Sequence, residues 1–180
     1  GYVADFHGAV LDSRLTATRF RRGISTYNGL RGTSGDGNRT LWNTSISYPL
    51  MGSYWFITPK ITYSLTHYND IKHARAEIDK SSTRSLPIYS LDTGLIFERN
   101  STVFGRETEQ TLEPRLFYAY IPYRNQRHMP NFDSSSADLN FAELFTPNKY
   151  TGFDRIANTN QLSAVLTTRY IDSGTGKEWF

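Results

Sequence analysis

The feature that most constrains this chain is a series of long segments in which apolar and polar residues alternate, joined by connections that are alternately short and long. We predict strands at about 2–10, 13–23, 39–50, 53–69, 85–99, 106–121 and 159–171, with an eighth beginning near 176. The short connections are Leu11–Ser13, Met51–Gly52, 100–105 and 173–176, and the long ones are 24–38, 70–84 and 122–158. Successive connections of antiparallel strands lie at opposite ends of a sheet. The order therefore predicts one end with short turns and one with long loops.

Bacterial outer-membrane barrels have this arrangement, and their strands place apolar side chains on the lipid side. In 111–121 the even positions are Leu112, Pro114, Leu116, Tyr118 and Tyr120, whereas the odd positions include Thr111, Glu113 and Arg115. A basic residue facing lipid at the midplane costs roughly 2–4 kcal/mol, so the even positions should face outward. The pattern predicts an all-β fold, an antiparallel transmembrane β-barrel of which this segment holds about 7–8 strands.

The other strands follow the same rule. The predicted outward side chains are Leu91, Thr93, Leu95 and Phe97, then Leu162, Ala164, Leu166 and Tyr170, and in the fourth strand Trp55, Ile57, Pro59, Ile61, Tyr63 and Leu65. The predicted lumen-facing charges are Asp92, Glu98, Glu113, Arg115 and Arg169. Glu113 and Arg115 lie two apart on one face, so we expect them to be paired in a wet interior.

Proline and aromatic residues add two expectations. Pro59 and Pro114 each lack the backbone N–H that would hydrogen-bond to a neighbouring strand, so each marks either a bulge, a weak seam or a tolerated kink.

Aromatic side chains near strand ends suggest girdles at the two membrane interfaces, although strands also favour aromatics in general. They are Tyr48, Tyr54, Trp55, Tyr68, Phe97, Tyr118, Tyr120, Tyr123 and Tyr170.

Composition narrows the class of protein. The hydrophobic fraction is 38%, the aromatic fraction is 14%, and no apolar run approaches the length of a transmembrane helix. The net charge is +3, but acidic and basic residues are interleaved, so we expect no nucleic acid partner. The basic clusters 19–22 and 124–128 are expected to be solvated, with anionic lipid head groups as the second interpretation.

Catalytic and metal sites are not predicted. The chain has no cysteine, and His7, His67, His73 and His128 lack metal-ligand spacing. Ser, His and Asp do not form a nucleophile pattern, and 133–138 lacks the glycine and glutamate of a calcium loop. We therefore expect no enzyme activity, no cofactor and no metal.

Residues 1–180 are interpreted as part of one outer-membrane β-barrel domain, with a long extracellular loop at about 122–158. Gly1 is not an initiator methionine, so we expect a processed or excised segment. A loop of this length usually has a function. Its apolar residues, Leu139, Phe141, Ala142, Leu144 and Phe145, predict a short element that folds over the barrel mouth.

Several motifs resemble a known family. They are 52–60, 90–99, 112–115, 120–126, 130–135, 138–141, 144–145, 148–156 and 160–162, which include the runs LEPR, IPYRNQ, PNFDSS, DLNF and NKYTGFDRI. These runs, in this order, are similar to the LPS-assembly protein LptD family, also called OstA or Imp. The resemblance covers most of residues 40–172, whereas residues 1–38 share only the general character of the family and no specific motif.

The resemblance implies a Gram-negative translocon, integral in the outer membrane, with a barrel of about 26 strands. It implies lipopolysaccharide as substrate, membrane lipid as surroundings, the lipoprotein LptE as plug, and the periplasmic bridge protein LptA, which would act through a domain outside this segment. Sugars would pass through the polar lumen while acyl chains leave through a lateral opening. The residues expected to shape the long loop are Asn131, Phe132, Asp133, Asp138, Asn140, Phe141, Asp154 and Arg155.

Two other functions stay open at this point. A diffusion porin or plugged receptor would conduct ions or solutes instead of moving lipid. A soluble β-rich binding module would fold in plain buffer.

Overall fold

A computed structural model describes residues 1–21, 36–72, 78–103, 105–137, 140–172, 174–175 and 177–178. The strands are β1 (Tyr2–Phe6), β2 (Ala9–Phe20), β3 (Asp36–Ser47), β4 (Leu50–Met51), β5 (Trp55–Lys72), β6 (Ser82–Leu95), β7 (Phe97–Val103), β8 (Arg106–Ile121) and β9 (Thr159–Asp172). One short 3-10 helix, Ala142–Phe145, lies between β8 and β9. The predicted all-β class is confirmed.

The strands form one antiparallel sheet in which β1, β2, β3, β5, β6 and β8 are neighbours in that order. β4 pairs with β5, and β7 and β9 pair with β8. Among the described residues the sheet is open, with edges at β1 and β9. Glu178 forms an isolated bridge with Ile171, close to the predicted start of a further strand. No helix within these same ranges has both the length and the apolar character needed to cross a membrane.

The first hairpin differs from the prediction. Its turn is His7–Gly8 and not Leu11–Ser13, because β2 already begins at Ala9 and pairs Leu11 with Ala4. Both turn residues have positive φ, 51° at His7 and 84° at Gly8. Two-residue hairpin loops need this left-handed backbone, which glycine adopts without strain.

Of the three prolines in the strands, Pro59 and Pro114 lie opposite interruptions in neighbouring strands, whereas Pro87 pairs with Tyr63 inside a continuous ladder. Pro59 on β5 lies opposite the break between β3 and β4, and Pro114 on β8 lies opposite the break between β6 and β7. The register is unchanged across each break, since Gly94 pairs with Arg115 and Phe97 with Leu112. A proline offers no N–H to the neighbouring strand, so that strand loses its ladder locally without a register shift.

The sheet has one face that is apolar and exposed. Register places these side chains in rows across the strands, for example Leu11 beside Ile46 and Ile46 beside Ile61. We call this set the apolar face; it contains Leu11, Leu15, Trp42, Ile46, Trp55, Ile57, Ile61, Tyr63, Tyr89, Leu91, Leu95, Phe97, Leu112, Leu116, Tyr118, Tyr120, Leu162 and Leu166. Monomeric proteins in water rarely expose so continuous an apolar surface.

The opposite face, the polar face, carries the side chains that alternate with these rows. Toward the end where β8 leads into the long loop, that loop covers it and creates a small core of Leu86, Ile121 and Ile156. Tyr68 is fully buried under the loop, so its predicted place in an interfacial girdle is wrong. Its hydroxyl instead hydrogen-bonds within the polar network beneath the loop.

Candidate functional site

The long loop 122–158 is held on the polar face by a buried carboxylate. Asp154 is fully buried, and its Oδ1 accepts hydrogen bonds from Arg39 Nη1 at 2.7 Å and from the Tyr68 hydroxyl at 2.9 Å. Its Oδ2 accepts the backbone N–H groups of Phe132 and Asp133 at 2.5 and 2.8 Å. A buried charge is stable only when it is paired and hydrogen-bonded in this way. Asp154 thus joins two strands to two parts of the loop.

Arg39, near the start of β3, links Asp154 to Asp133. Its Nη1 and Nη2 donate to the Asp133 carboxylate at 2.8 and 2.7 Å. The guanidinium also lies over the rings of Phe20 and Phe153, at 4.9 and 5.5 Å from their centroids. Paired charges and ring faces together compensate for removing this cation from water.

Arg84, on β6, holds the backbone of the same loop. Its Nη1 donates to the Asp154 carbonyl at 2.6 Å and to Gln126 Oε1 at 2.9 Å. Its Nη2 donates to the Phe153 carbonyl at 2.7 Å and to Thr66 Oγ1 at 3.0 Å. All four acceptors are neutral, so Arg84 brings a positive charge beneath the loop.

Gln126 and Ser134 bind the two halves of the loop to each other. The Gln126 side chain exchanges two hydrogen bonds with the backbone of Ile156, at 2.7 and 3.2 Å. Ser134 Oγ accepts the N–H groups of Asp154 and Arg155 at 2.8 and 3.0 Å. We call Arg39, Tyr68, Arg84, Gln126, Asp133 and Asp154 the loop anchor.

The Asp133 carboxylate titrates below its usual range. Partial burial alone would raise its pKa, but the hydrogen bonds from Arg39 and from the Phe153 backbone favour the charged form. These bonds and the Arg39 charge lower the pKa from 3.8 to about 2. The anchor therefore keeps its Asp133–Arg39 pair throughout the ordinary pH range.

Further along the polar face, charges pair across strands. Arg115 makes a bidentate contact with Asp92, at 2.8 and 2.6 Å. Glu113 lies 3.5 Å from Arg169. The expected pairing of Glu113 with Arg115 is therefore wrong. Arg115 lies opposite Gly94 and Glu113 opposite Thr167, so each charge reaches a diagonal neighbour on the adjacent strand, within the range of long side chains.

The 3-10 helix of the loop reaches these charges. The Phe145 ring lies 3.9 Å from the Arg115 guanidinium carbon and packs edge-on against Phe117. Phe141 packs against Phe145 and is itself mostly exposed. The loop thus contacts the polar face in two places, at the anchor and at Arg115.

The remaining predicted loop residues shape local turns. Asn131 exchanges two 3.0 Å hydrogen bonds with the backbone of Ser134, and Asn140 Oδ1 accepts the N–H of Glu143 at 3.1 Å. Glu98 lies exposed on β7 beside Thr111. Asp138 falls outside the described residues.

Comparison of this sequence with known proteins gives the same family as the sequence motifs. A family model described as LptD, LPS transport system D, matches residues 4–180. This chain belongs to the LptD family. The LPS-assembly protein LptD of Paraburkholderia xenovorans is 46% identical over 160 residues, which are 84% of this chain and 20% of the relative. The LptD of Bordetella avium is 41% identical over 181 residues, 96% of this chain and 22% of the relative.

The LptD of Nitrosospira multiformis, at 45% identity over 143 residues, covers 79% of this chain and 15% of its own length. This LptD-family chain therefore spans about a fifth of the length of the curated relatives it matches. The family resemblance inferred from the sequence motifs is confirmed.

Sequence reasoning missed three members of the anchor in this LptD-family chain. Arg39, Arg84 and Gln126 were not singled out, although Gln126 stands inside one of the family-like motifs. The available signal was a basic residue on the polar face near the start of β3 and another near the start of β6. A charge buried at such a position needs a partner from outside the sheet.

Proposed function

We propose that this chain forms part of the wall and the mouth of an outer-membrane β-barrel that takes part in assembling lipopolysaccharide into the outer leaflet. In this proposal the chain is integral in the outer membrane and acts without catalysing a reaction. Its apolar face meets lipid, its polar face lines the lumen, and the loop 122–158 lies on the extracellular side.

The two faces of the sheet support the membrane part of the proposal. The apolar face is exposed along β2, β3, β5, β6, β8 and β9, and the side chains between these rows are largely polar. Hydrocarbon on one side and water on the other is the environment that places the apolar rows in lipid and the charges of Asp92, Glu113, Arg115 and Arg169 in water.

The docked loop is the single observation that carries the proposed function. It lies on the polar face alone, tied there by Asp154 and by Phe145. A loop that folds inward over the lumen narrows the aqueous path while the lipid-facing wall stays uncovered. This suits a protein that keeps sugars in a polar interior and acyl chains in the bilayer.

Membership in the LptD family and the names of the relatives support lipopolysaccharide as the substrate. We extend the proposal to two partners: the lipoprotein LptE as a plug against the polar face, and the bridge protein LptA, bound by a part of the protein outside this chain. The paired charges of Asp92–Arg115 and Glu113–Arg169 would line the surface that faces the plug.

The test replaces Asp154 with Asn in the full-length protein, in cells depleted of the native copy. Breaking a buried ion pair on one side costs about 3–5 kcal/mol, so we expect the loop to detach and delivery of lipopolysaccharide to the cell surface to fall. Surface lipopolysaccharide is measured by accessibility to an outer-leaflet modifying enzyme, and barrel assembly by heat-modifiable migration.

Asp70→Asn is the matched control, because Asp70 forms an exposed ion pair with Lys72 at 3.1 Å. Such pairs contribute little, so delivery should be unchanged. Normal surface lipopolysaccharide after complete depletion, with no copy of the protein present, would contradict the proposed function. Steady ion conductance by the purified wild-type protein, without effect on lipopolysaccharide, would favour a diffusion porin instead.

A further inference from the structure

A shallow, largely open concavity of about 320 Å³ is formed by residues of the long loop, one of which, Gln126, belongs to the loop anchor. It is lined by Tyr123, Arg124, Asn125, Gln126, Arg127 and Arg155. Its volume is at the lower end of the range of small-molecule sites. The lining residues include three guanidinium groups and no carboxylate.

The three arginines differ in how they are held. Arg155 is fixed, because Nη1 donates to the Gln126 carbonyl and Nη2 donates to the Met129 carbonyl at 3.0 Å. Arg124 and Arg127 are exposed and three residues apart. The exposed guanidinium groups of Arg124 and Arg127 can offer a small anion bidentate contacts, while the fixed Arg155 adds its charge.

The charged groups beneath the concavity balance one another. Gln126 lines it and accepts a hydrogen bond from Arg84, whose acceptors are all neutral. The nearby carboxylates of Asp133 and Asp154 are both engaged by Arg39. Arg39 and Arg84 together balance these two carboxylates. The positive charge of the concavity therefore comes from Arg124, Arg127 and Arg155.

Tyr123 adds an aromatic ring to the positively charged site. Its side chain is mostly exposed at the edge of the concavity, where the ring presents apolar surface and the hydroxyl a polar tip. Asn125 adds an amide group beside it, whereas the Gln126 amide is held by Arg84 and Ile156. Guanidinium groups match phosphate oxygens, whereas an aromatic ring and amides suit the body of a sugar.

The geometry points to a binding site for a phosphorylated sugar in this concavity, with Arg124, Arg127 and Arg155 on the phosphate and Tyr123 on the sugar ring. This inference rests on the proposed function, which places the loop where phosphorylated glycans of lipopolysaccharide emerge. It assigns the loop a role in holding the exported molecule, in addition to covering the lumen.

The experiment measures binding by isothermal titration to the full-length protein in nanodiscs. The probes are a lipid-free phosphorylated core oligosaccharide of lipopolysaccharide, the same oligosaccharide after phosphatase treatment, and inorganic phosphate. We expect the dephosphorylated oligosaccharide to bind roughly tenfold more weakly or worse, because charge-assisted hydrogen bonds are lost. Inorganic phosphate should displace the phosphorylated oligosaccharide only at much higher concentration.

The variant is Arg124→Gln with Arg127→Gln, and the matched control is Lys149→Gln, which removes an exposed charge from the same loop outside the concavity. The double variant should weaken binding of the phosphorylated oligosaccharide at least tenfold, and the control should stay within about twofold. Tyr123→Ala should weaken binding of the oligosaccharide but not of inorganic phosphate.

Equal affinity of wild type and double variant, or equal affinity for the phosphorylated and dephosphorylated probes, would overturn the inference. So would inorganic phosphate that binds as tightly as the oligosaccharide. Surface delivery of lipopolysaccharide by the wild-type protein is measured in parallel. If delivery is normal but the arginines do not affect binding, the sugar site fails while the proposed function stands.

Discussion

Gly152 lies where the long loop passes closest to the backbone of Asp133. Its φ is +69°, and a Cβ added there would lie 2.4 Å from the Asp133 carbonyl oxygen. Gly152→Ala should therefore push the two loop segments apart, at a cost of about 1–3 kcal/mol. We expect trypsin to cleave folded full-length protein in the loop several-fold faster, at Arg124, Arg127 or Lys149.

Gly105→Ala is the control for a general loss of stability, because Gly105 lies in the turn between β7 and β8, outside the long loop. Gly105 also has positive φ, +77°, but a Cβ there would meet nothing within 4 Å. Both variants carry the cost of a non-glycine residue at positive φ, and only the first carries the clash. Equal loop cleavage in the two variants would contradict the close packing of Gly152 on Asp133.

Asp133 makes the anchor sensitive to acid. Its folded-state pKa is lowered to about 2, so its contribution to loop docking is complete above its ordinary value of 3.8. This contribution is lost as the pH falls through about 2. A fluorescent label on a cysteine at Lys149 should report loop release over that window, and Asp133→Asn should abolish this acid transition. An unchanged transition in Asp133→Asn would remove Asp133 from this role.

Among the elements, the 3-10 helix Ala142–Phe145 makes the second contact of the loop with the sheet. Phe145 lies over Arg115, whereas Phe141, one turn earlier, is 62% exposed. Phe145→Ala should raise the ion conductance of the full-length protein in planar bilayers, because the loop loses its inner contact. Loss of the ring and of its cation–π contact is worth about 1–3 kcal/mol at such a half-buried site.

Phe141→Ala is the control for this prediction, since it removes the same ring from a mostly exposed position. Its conductance should resemble that of the wild type. If both phenylalanine variants conduct alike, the loop does not close the lumen through Phe145.

Most strands could be predicted from the sequence, because the signal for a strand lies in neighbouring residues. Apolar and polar residues alternate along β5, β6, β8 and β9, so the sequence itself indicates which face of the sheet each residue lies on. The first hairpin was misplaced because Leu11–Ser13 and His7–Gly8 both contain turn-forming residues, and the pairing of Leu11 with Ala4 depends on the neighbouring strand.

The loop anchor could not be predicted in the same way, because its contacts are not local. Arg39 and Asp154 are 115 positions apart, and Arg84 donates to a carbonyl 70 positions away. Family-like motifs did mark Asp133, Asp154 and Gln126 as part of the loop. Which strand residues they meet follows only from how the loop folds back on the sheet.

At the scale of the whole molecule, the proposed function requires one face of the sheet to meet hydrocarbon and the other to meet water. Spin labels on the full-length protein in bilayers test this most directly, at Leu95, Leu116 and Leu166 on the apolar face and at Ser90 and Thr167 on the polar face. The proposed arrangement of the two faces predicts that oxygen, which concentrates in lipid, relaxes the three leucine-site labels and that a water-soluble nickel complex relaxes the other two. Leucine-site labels that respond to the nickel complex and not to oxygen would contradict it.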